Sequence, residues 1–234
     1  MTAANLIGRI ENVRKRIRTA AMRAHRSFEE ITLVAVSKTH PVESVRAAIA
    51  AGLHDFGENR VQEAEAKIPA VGRGSARWHL IGHLQSNKAR RAVELFDVIH
   101  SLDSVALARR LDRVSAELAR DELPVLIQVD LGQEETKTGI AETALGELVA
   151  AVRDCGRLRL TGLMTLPPFF AEAERTRPYF RRLRELRDEL KAQGAFGDHH
   201  GELSMGMTHD CEIAIEEGAT VVRVGTAIFG EREV

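Results

Sequence analysis

The stretch Ile31-Thr32-Leu33-Val34-Ala35-Val36-Ser37-Lys38 decides the fold. Seven apolar, small or β-branched residues run straight into a lysine, and Thr39-His40-Pro41 ends the run. A run this short, rich in Val, Ile and Thr, reads as a strand buried on both faces, as in a parallel sheet. Pro41 suits the first turn of a helix, and Glu43 favours the positive helix end. Lys38 is therefore expected at the carboxyl end of a buried strand, where barrels and open α/β sheets place their chemistry. Two accounts of it stand at this point: a snorkelling or salt-bridged side chain, or an amine held partly out of water so that its neutral form attacks a carbonyl carbon.

The remaining chain repeats the pattern. Leu6, Ile10, Val13 and Ile17 recur at helical spacing ahead of the first strand. Val42, Val45 and Ile49 mark the first crossover helix, stopped by Gly52. Further strands are expected at His54–Asn59, Arg77–Gly82, Asp97–Leu102, Pro124–Leu131, Leu158–Leu166, Glu202–Met207 and Ala219–Gly225. Helices fill the intervals, among them Ser86–Leu95, His209–Glu217 and a long one striped by Tyr179, Leu183, Leu186 and Leu190. The glycine-bounded loop Gly132–Gly139 is expected over the sheet's mouth. Eight strands alternating with helices predict an α/β protein, a single closed (β/α)8 TIM barrel over residues 1–234. Residues 1–25 form an extra N-terminal helix packing on that barrel.

Composition narrows the function. The chain is 44% hydrophobic and 29% charged, with 33 Lys+Arg against 34 Asp+Glu. No global field draws nucleic acid or an anionic membrane surface. No apolar run reaches the roughly 18 residues of a spanning helix, and the N-terminus is too charged for a signal peptide. Cys155 and Cys211 stand apart without a zinc pattern, which fits free thiols in a reducing cytoplasm. No metal site is expected: His79 and His83 cross from strand into turn, and nothing completes a set around His199-His200. Gly72-x-Gly74 fails the dinucleotide fingerprint, and no Walker glycines precede Lys38. The arginines between Arg175 and Arg187 read as a solvated helix face.

In barrels a phosphate often sits against the loops after strands seven and eight. Ser204 to Thr208 offers hydroxyls and a close-approach glycine, and Gly225-Thr226-Ala227 offers exposed amides at a helix start. Arg223 shares Gly225's face of the eighth strand. Its partner is either a carboxylate, with Glu58 the candidate, or a ligand's ring nitrogen. Asn59 either hydrogen-bonds a ligand hydroxyl or shapes a turn.

The segments AVSKTHP, FGENRVQE, WHLIGHLQSNK, HSLDS, GLMTLPP, LSMGMTHD and VVRVGTAIFG resemble, in order and spacing, the pyridoxal phosphate homeostasis proteins of the YggS/PROSC type. The resemblance runs from about Leu33 to Gly230, and that family is similar to the N-terminal barrel of alanine racemase, fold type III. It implies that Lys38 holds pyridoxal 5′-phosphate (PLP) as an internal aldimine, a Schiff base. It also implies that Ser204, Gly225 and Thr226 hold the phosphate and that Arg223 lies near the pyridine nitrogen; Asn59, from its place at the end of the second strand, is counted with these cofactor-binding residues. Thr208 stands where the family often has serine. The implied role is a monomeric, non-catalytic carrier in vitamin B6 homeostasis that buffers PLP or delivers it to apo PLP-dependent enzymes.

Chemistry agrees with that role. An arginine facing the ring nitrogen cannot accept a proton, so it leaves that nitrogen unprotonated and weakens the ring's pull on electrons. The alternative is an amino-acid racemase using the same lysine, but the chain's single tyrosine, Tyr179, belongs to a helix stripe rather than to an added β-domain. A cofactor-free Schiff-base aldolase on the same barrel is the third reading, and nothing in the chain marks a separate sugar-phosphate site.

Overall fold

The computed structural model describes residues 3–132 and 138–231. Eight parallel strands close on themselves. They are β1 (Thr32–Val36), β2 (Asp55–Glu58), β3 (Arg77–Leu80), β4 (Val98–Leu102), β5 (Leu123–Asp130), β7 (Leu158–Met164), β8 (Glu202–Ser204) and β9 (Val221–Val224). They are ordered β4-β3-β2-β1-β9-β8-β7-β5, with a β4–β5 pairing that completes the ring. A two-residue strand, β6 (Ile140–Ala141), pairs parallel to β5 outside the ring and was not expected from the sequence. Residues 133–137, the middle of the expected mouth loop, lie outside the described residues.

Helices α2 (Val42–Ala50), α3 (Val61–Val71), α4 (Ala89–Leu95), α5 (Val105–Glu117), α6 (Leu145–Arg153), α7 (Arg177–Ala192), α8 (Cys211–Glu216) and α9 (Thr226–Phe229) follow successive strands. Alternate strand residues such as Ala35, Phe56, Trp78, Ile99, Ile127, Leu163, Leu203 and Val222 join one buried layer under these helices. The opposite parity lines the interior, where Val98, Leu126 and Met164 form a small apolar layer of their own. Helix α1 (Ala3–Arg23) buries Leu6, Ile10, Val13 and Ile17 as its spacing predicts. Arg16 on α1 clamps Glu212 of α8 at 2.6 and 2.8 Å, which ties that helix to the barrel wall.

Several boundaries differ for local reasons. The first strand ends at Val36 because Ser37 already opens a turn, closed by His40 N–H donating to Ser37 O at 3.1 Å. Thr39 within it takes a left-handed φ of 66°. The seventh expected strand shortens to Glu202–Ser204, since Gly206 turns out at φ 88°. Ser86–Lys88 is a 3-10 turn ahead of α4, and α8 begins only at Cys211. On α7 the buried stripe is Phe180, Leu183, Leu186 and Leu190. Tyr179 is displaced from it and stacks on Phe170, with centroids 5.9 Å apart. Arginines of α7 are spent on carboxylates, Arg177, Arg181 and Arg184 converging on the buried Glu217. No helix among the described residues is long and apolar enough to cross a membrane.

Candidate functional site

Strand register brings the expected residues to one end of the barrel. Val34 pairs with Arg223 and Ala35 with Val224, so Gly225 and Thr226 emerge beside the turn that carries Lys38. The rings of His40 and Phe229, 5.0 Å apart, join that turn to α9. Lys38 is half-buried there. Just before it on the same turn, Ser37 points its hydroxyl outward to Glu58 at 2.6 Å.

Ser37 belongs to a buried ionic cluster. Lys67 Nζ on α3 donates to Glu58 Oε1 at 2.6 Å and to the carbonyl of Ser37 at 2.7 Å. Glu58 Oε2 has no hydrogen-bond partner among the described residues. Burial pushes the Glu58 carboxyl above its ordinary value, against the pull of Lys67. Glu58 therefore faces Lys67 on α3, which overturns the account of Glu58 as the carboxylate partner of Arg223.

Arg223 is 2% exposed and lies inside the barrel. Its Nη1 donates to Ser204 Oγ at 2.5 Å and its Nη2 to the carbonyl of Thr165 at 2.9 Å. Burial pushes its pKa down to about 10, with only the more distant Asp210 carboxylate acting to raise it. A buried cation held by neutral acceptors is a site prepared for a ligand acceptor, because unpaired buried charge is costly. Ser204 is fully buried beneath Arg223, so its hydroxyl is committed inward, whereas Thr226 is exposed at the start of α9. Gly225 keeps that rim open: a Cβ there would stand 3.2 Å from the Val36 carbonyl.

Asn59 sits at the end of β2, pressed against Gly82, whose added Cβ would lie 2.2 Å from the Asn59 carbonyl oxygen. It also lines a groove of about 500 Å³ with Arg60, Gln62, His83, Gln85 and Lys88, beside the Lys38 turn. The six expected residues thus divide. Lys38, Gly225 and Thr226 lie on adjacent turns at the rim, Arg223 and Ser204 lie deeper, and Asn59 borders the next groove.

Sequence reasoning missed the polar interior beneath Arg223. His100 Nδ1 lies 2.8 Å from Ser204 Oγ, and its Nε2 lies 2.8 Å from His79 Nδ1. His79 Nε2 in turn lies 2.9 Å from Asp55 Oδ1. Burial, then the neighbouring His79 and Arg223, hold the His100 imidazole well below its ordinary value. The signal available was parity. Asp55, His79 and His100 all occupy interior positions once the barrel is inferred, but their pairing across strands needs the register.

The alanine racemase N-terminal domain family matches residues 9–233. A pyridoxal phosphate homeostasis protein of Aquifex aeolicus (strain VF5) is 43% identical over 231 residues, covering 98% of this chain and 99% of the relative. PipY of Synechococcus elongatus PCC7942, solved with PLP bound, superposes with a TM-score of 0.79 at 42% identity, covering 91% of this chain and 98% of PipY. Alanine racemase of Clostridium difficile 630 shares the fold at a TM-score of 0.73 and 16% identity, covering 97% of this chain and 57% of the racemase.

Proposed function

The chain belongs to the pyridoxal phosphate homeostasis protein family, and from that premise we propose that it binds PLP at the barrel mouth and serves as a carrier of the cofactor. The observation that carries this reading is Arg223, a buried guanidinium bonded to a hydroxyl and a carbonyl instead of a carboxylate. The pyridine nitrogen of PLP is a further neutral acceptor, for N–H groups of a guanidinium that has five donors and gives two bonds to Ser204 and Thr165. When bound, the cofactor supplies an aldehyde for an amine and an aromatic ring able to withdraw electrons.

The chain's own residues divide the work. Lys38 supplies the amine, from a half-buried position on the turn that follows β1. Thr226 and the amides beside Gly225 take the phosphate at the rim. Ser204 acts by holding Arg223, and Asn59 borders the ring from β2. Arg223 holds the ring nitrogen without protonating it, which suits storage over carbanion chemistry.

The same reading makes the chain one monomeric, cytoplasmic domain over residues 1–234 that hands its cofactor to apo PLP-dependent enzymes. A racemase would need a second base over the opposite cofactor face, and Tyr179 is engaged with Phe170 on α7. The test is direct. Purified protein incubated with PLP should turn yellow, and borohydride should bleach it and fix the label on Lys38. Lys38→Ala should lose the fixed label while retaining weaker, reversible PLP binding. A Lys38→Ala protein that is labelled as fully as the natural chain would overturn the assignment.

A further inference from the structure

We infer that Asp55, His79, His100 and Ser204 are positioning residues for Arg223, forming a one-way hydrogen-bond relay through the barrel interior that fixes the tautomer of both imidazoles and leaves the guanidinium's charge for a ligand. The inference rests on the cofactor reading above for the identity of that ligand; the relay itself does not.

The two ends fix the direction. Arginine can only donate and an ionised carboxylate can only accept. Arg223 Nη1 donates to Ser204 Oγ at 2.5 Å, so the serine's own proton is available for His100 Nδ1 at 2.8 Å. An imidazole that accepts at Nδ1 carries its proton on Nε2 when neutral. His100 Nε2–H then donates to His79 Nδ1 at 2.8 Å, and His79 Nε2–H donates to Asp55 Oδ1 at 2.9 Å. Every proton in the chain has one place.

Reversing the inner links would put a proton on His79 Nδ1 while Asp55 still requires one on Nε2. His79 would then be an imidazolium, and it is 3% exposed. A single neutral imidazole cannot supply both protons, so only the forward direction satisfies every link with one proton per ring. The direction of the His100 shift agrees.

The arrangement explains why a carboxylate is present in the barrel but kept away from Arg223. Asp55 lies at the start of β2, at the amino-terminal end of the barrel, with 23% of its side chain exposed. Two imidazoles and a hydroxyl separate it from the guanidinium. It orients the chain without neutralising the charge. A carboxylate in direct contact would instead pair with Arg223 and compete with the ligand.

Nitrogen-15 NMR of histidine-labelled full-length protein tests the relay without the cofactor. His79 and His100 are each expected to carry a proton on Nε2 and none on Nδ1. A proton on Nδ1 of either ring, or a doubly protonated His79, would overturn the relay. PLP titration tests the positioning role. His100→Leu removes donor and acceptor together, and should weaken PLP binding about tenfold, a loss of about 1.4 kcal/mol. It should also shift the bound absorption band, and His100→Gln, which restores an amide donor and a carbonyl acceptor, should recover part of both. If His100→Leu binds PLP with unchanged affinity and band, the positioning role is wrong. Should the natural chain fail to bind PLP while the NMR pattern holds, the cofactor reading falls and the relay stands.

Discussion

Lys67 Nζ lies 2.6 Å from Glu58 Oε1, and both side chains are buried between β2 and α3, directly behind the turn that carries Lys38. The same carboxylate oxygen accepts the Ser37 hydroxyl, and the ammonium also holds the Ser37 carbonyl. Removing one partner strands the other. Lys67→Met is therefore expected to lower unfolding free energy by about 3–5 kcal/mol, measured by chemical denaturation. The double variant Lys67→Met/Glu58→Leu should recover much of that loss, because it leaves no buried charge. A double variant no more stable than Lys67→Met would contradict the account.

His100 sets the acid limb of stability. Burial, then His79, Arg223 and Arg77, hold its folded-state value well below the ordinary 6.5. Below pH 6.5 the unfolded chain binds a proton there that the folded chain refuses. Stability should thus fall as pH drops from about 6.5, with this residue contributing up to about 1.4 kcal/mol per pH unit. Its contribution is fully present above pH 6.5. His100→Gln should show a shallower decline between pH 6.5 and 5; an identical slope would mean that His100 protonates freely in the fold.

Gly82→Ala tests how the end of β2 is held. An added Cβ would lie 2.2 Å from the Asn59 carbonyl oxygen and 2.8 Å from its Cα, both of them backbone. Backbone cannot swing aside as a side chain can, so the strand ends must separate. A loss of about 2 kcal/mol is expected, in the range for overpacking. Asn59 and the groove it lines should shift with it. Unchanged stability with unchanged amide chemical shifts at Asn59 would show more slack than the geometry allows.

The barrel was legible in the chain because its signal is local. The first, fifth and last strands of the ring carry short apolar runs such as Val34-Ala35-Val36, and the longer helices carry their own stripes, so neither needs tertiary information; β2 and β8, with one large apolar residue each, were placed by the alternation around them. The rim residues Lys38, Gly225 and Thr226 were legible for the same reason, since strand ends are where barrels place chemistry. The partners of Arg223 were not. Ser204 on β8 and Thr165 just past β7 bond it, His100 on β4 bonds Ser204 in turn, and which of them meet depends on register and barrel stagger. Glu58 misled because its proximity to the site in sequence says nothing of parity. It lies on the helix-facing side with Phe56, and Arg223 lies on the other. Tyr179 misled by one position: Phe180 is as good a stripe residue, and only packing chooses between them.

Thr226 separates a ligand contact from a helix end. It is exposed at the start of α9, where Gly225 is the N-cap and the helix is closed by Gly230 N–H donating to the Thr226 carbonyl. Thr226→Ala keeps that carbonyl and removes only the hydroxyl and a methyl. An exposed change of this kind should alter unfolding free energy by no more than about 0.5 kcal/mol. If the hydroxyl is a phosphate contact, PLP binding should weaken far more, by about tenfold, since hydrogen bonds to a charged acceptor are worth about 1.5–3 kcal/mol. Inorganic phosphate should compete less well with PLP in the variant than in the natural chain. Equal, small changes in stability and in PLP retention would make Thr226 a helix-end residue and leave the phosphate to the amides beside Gly225.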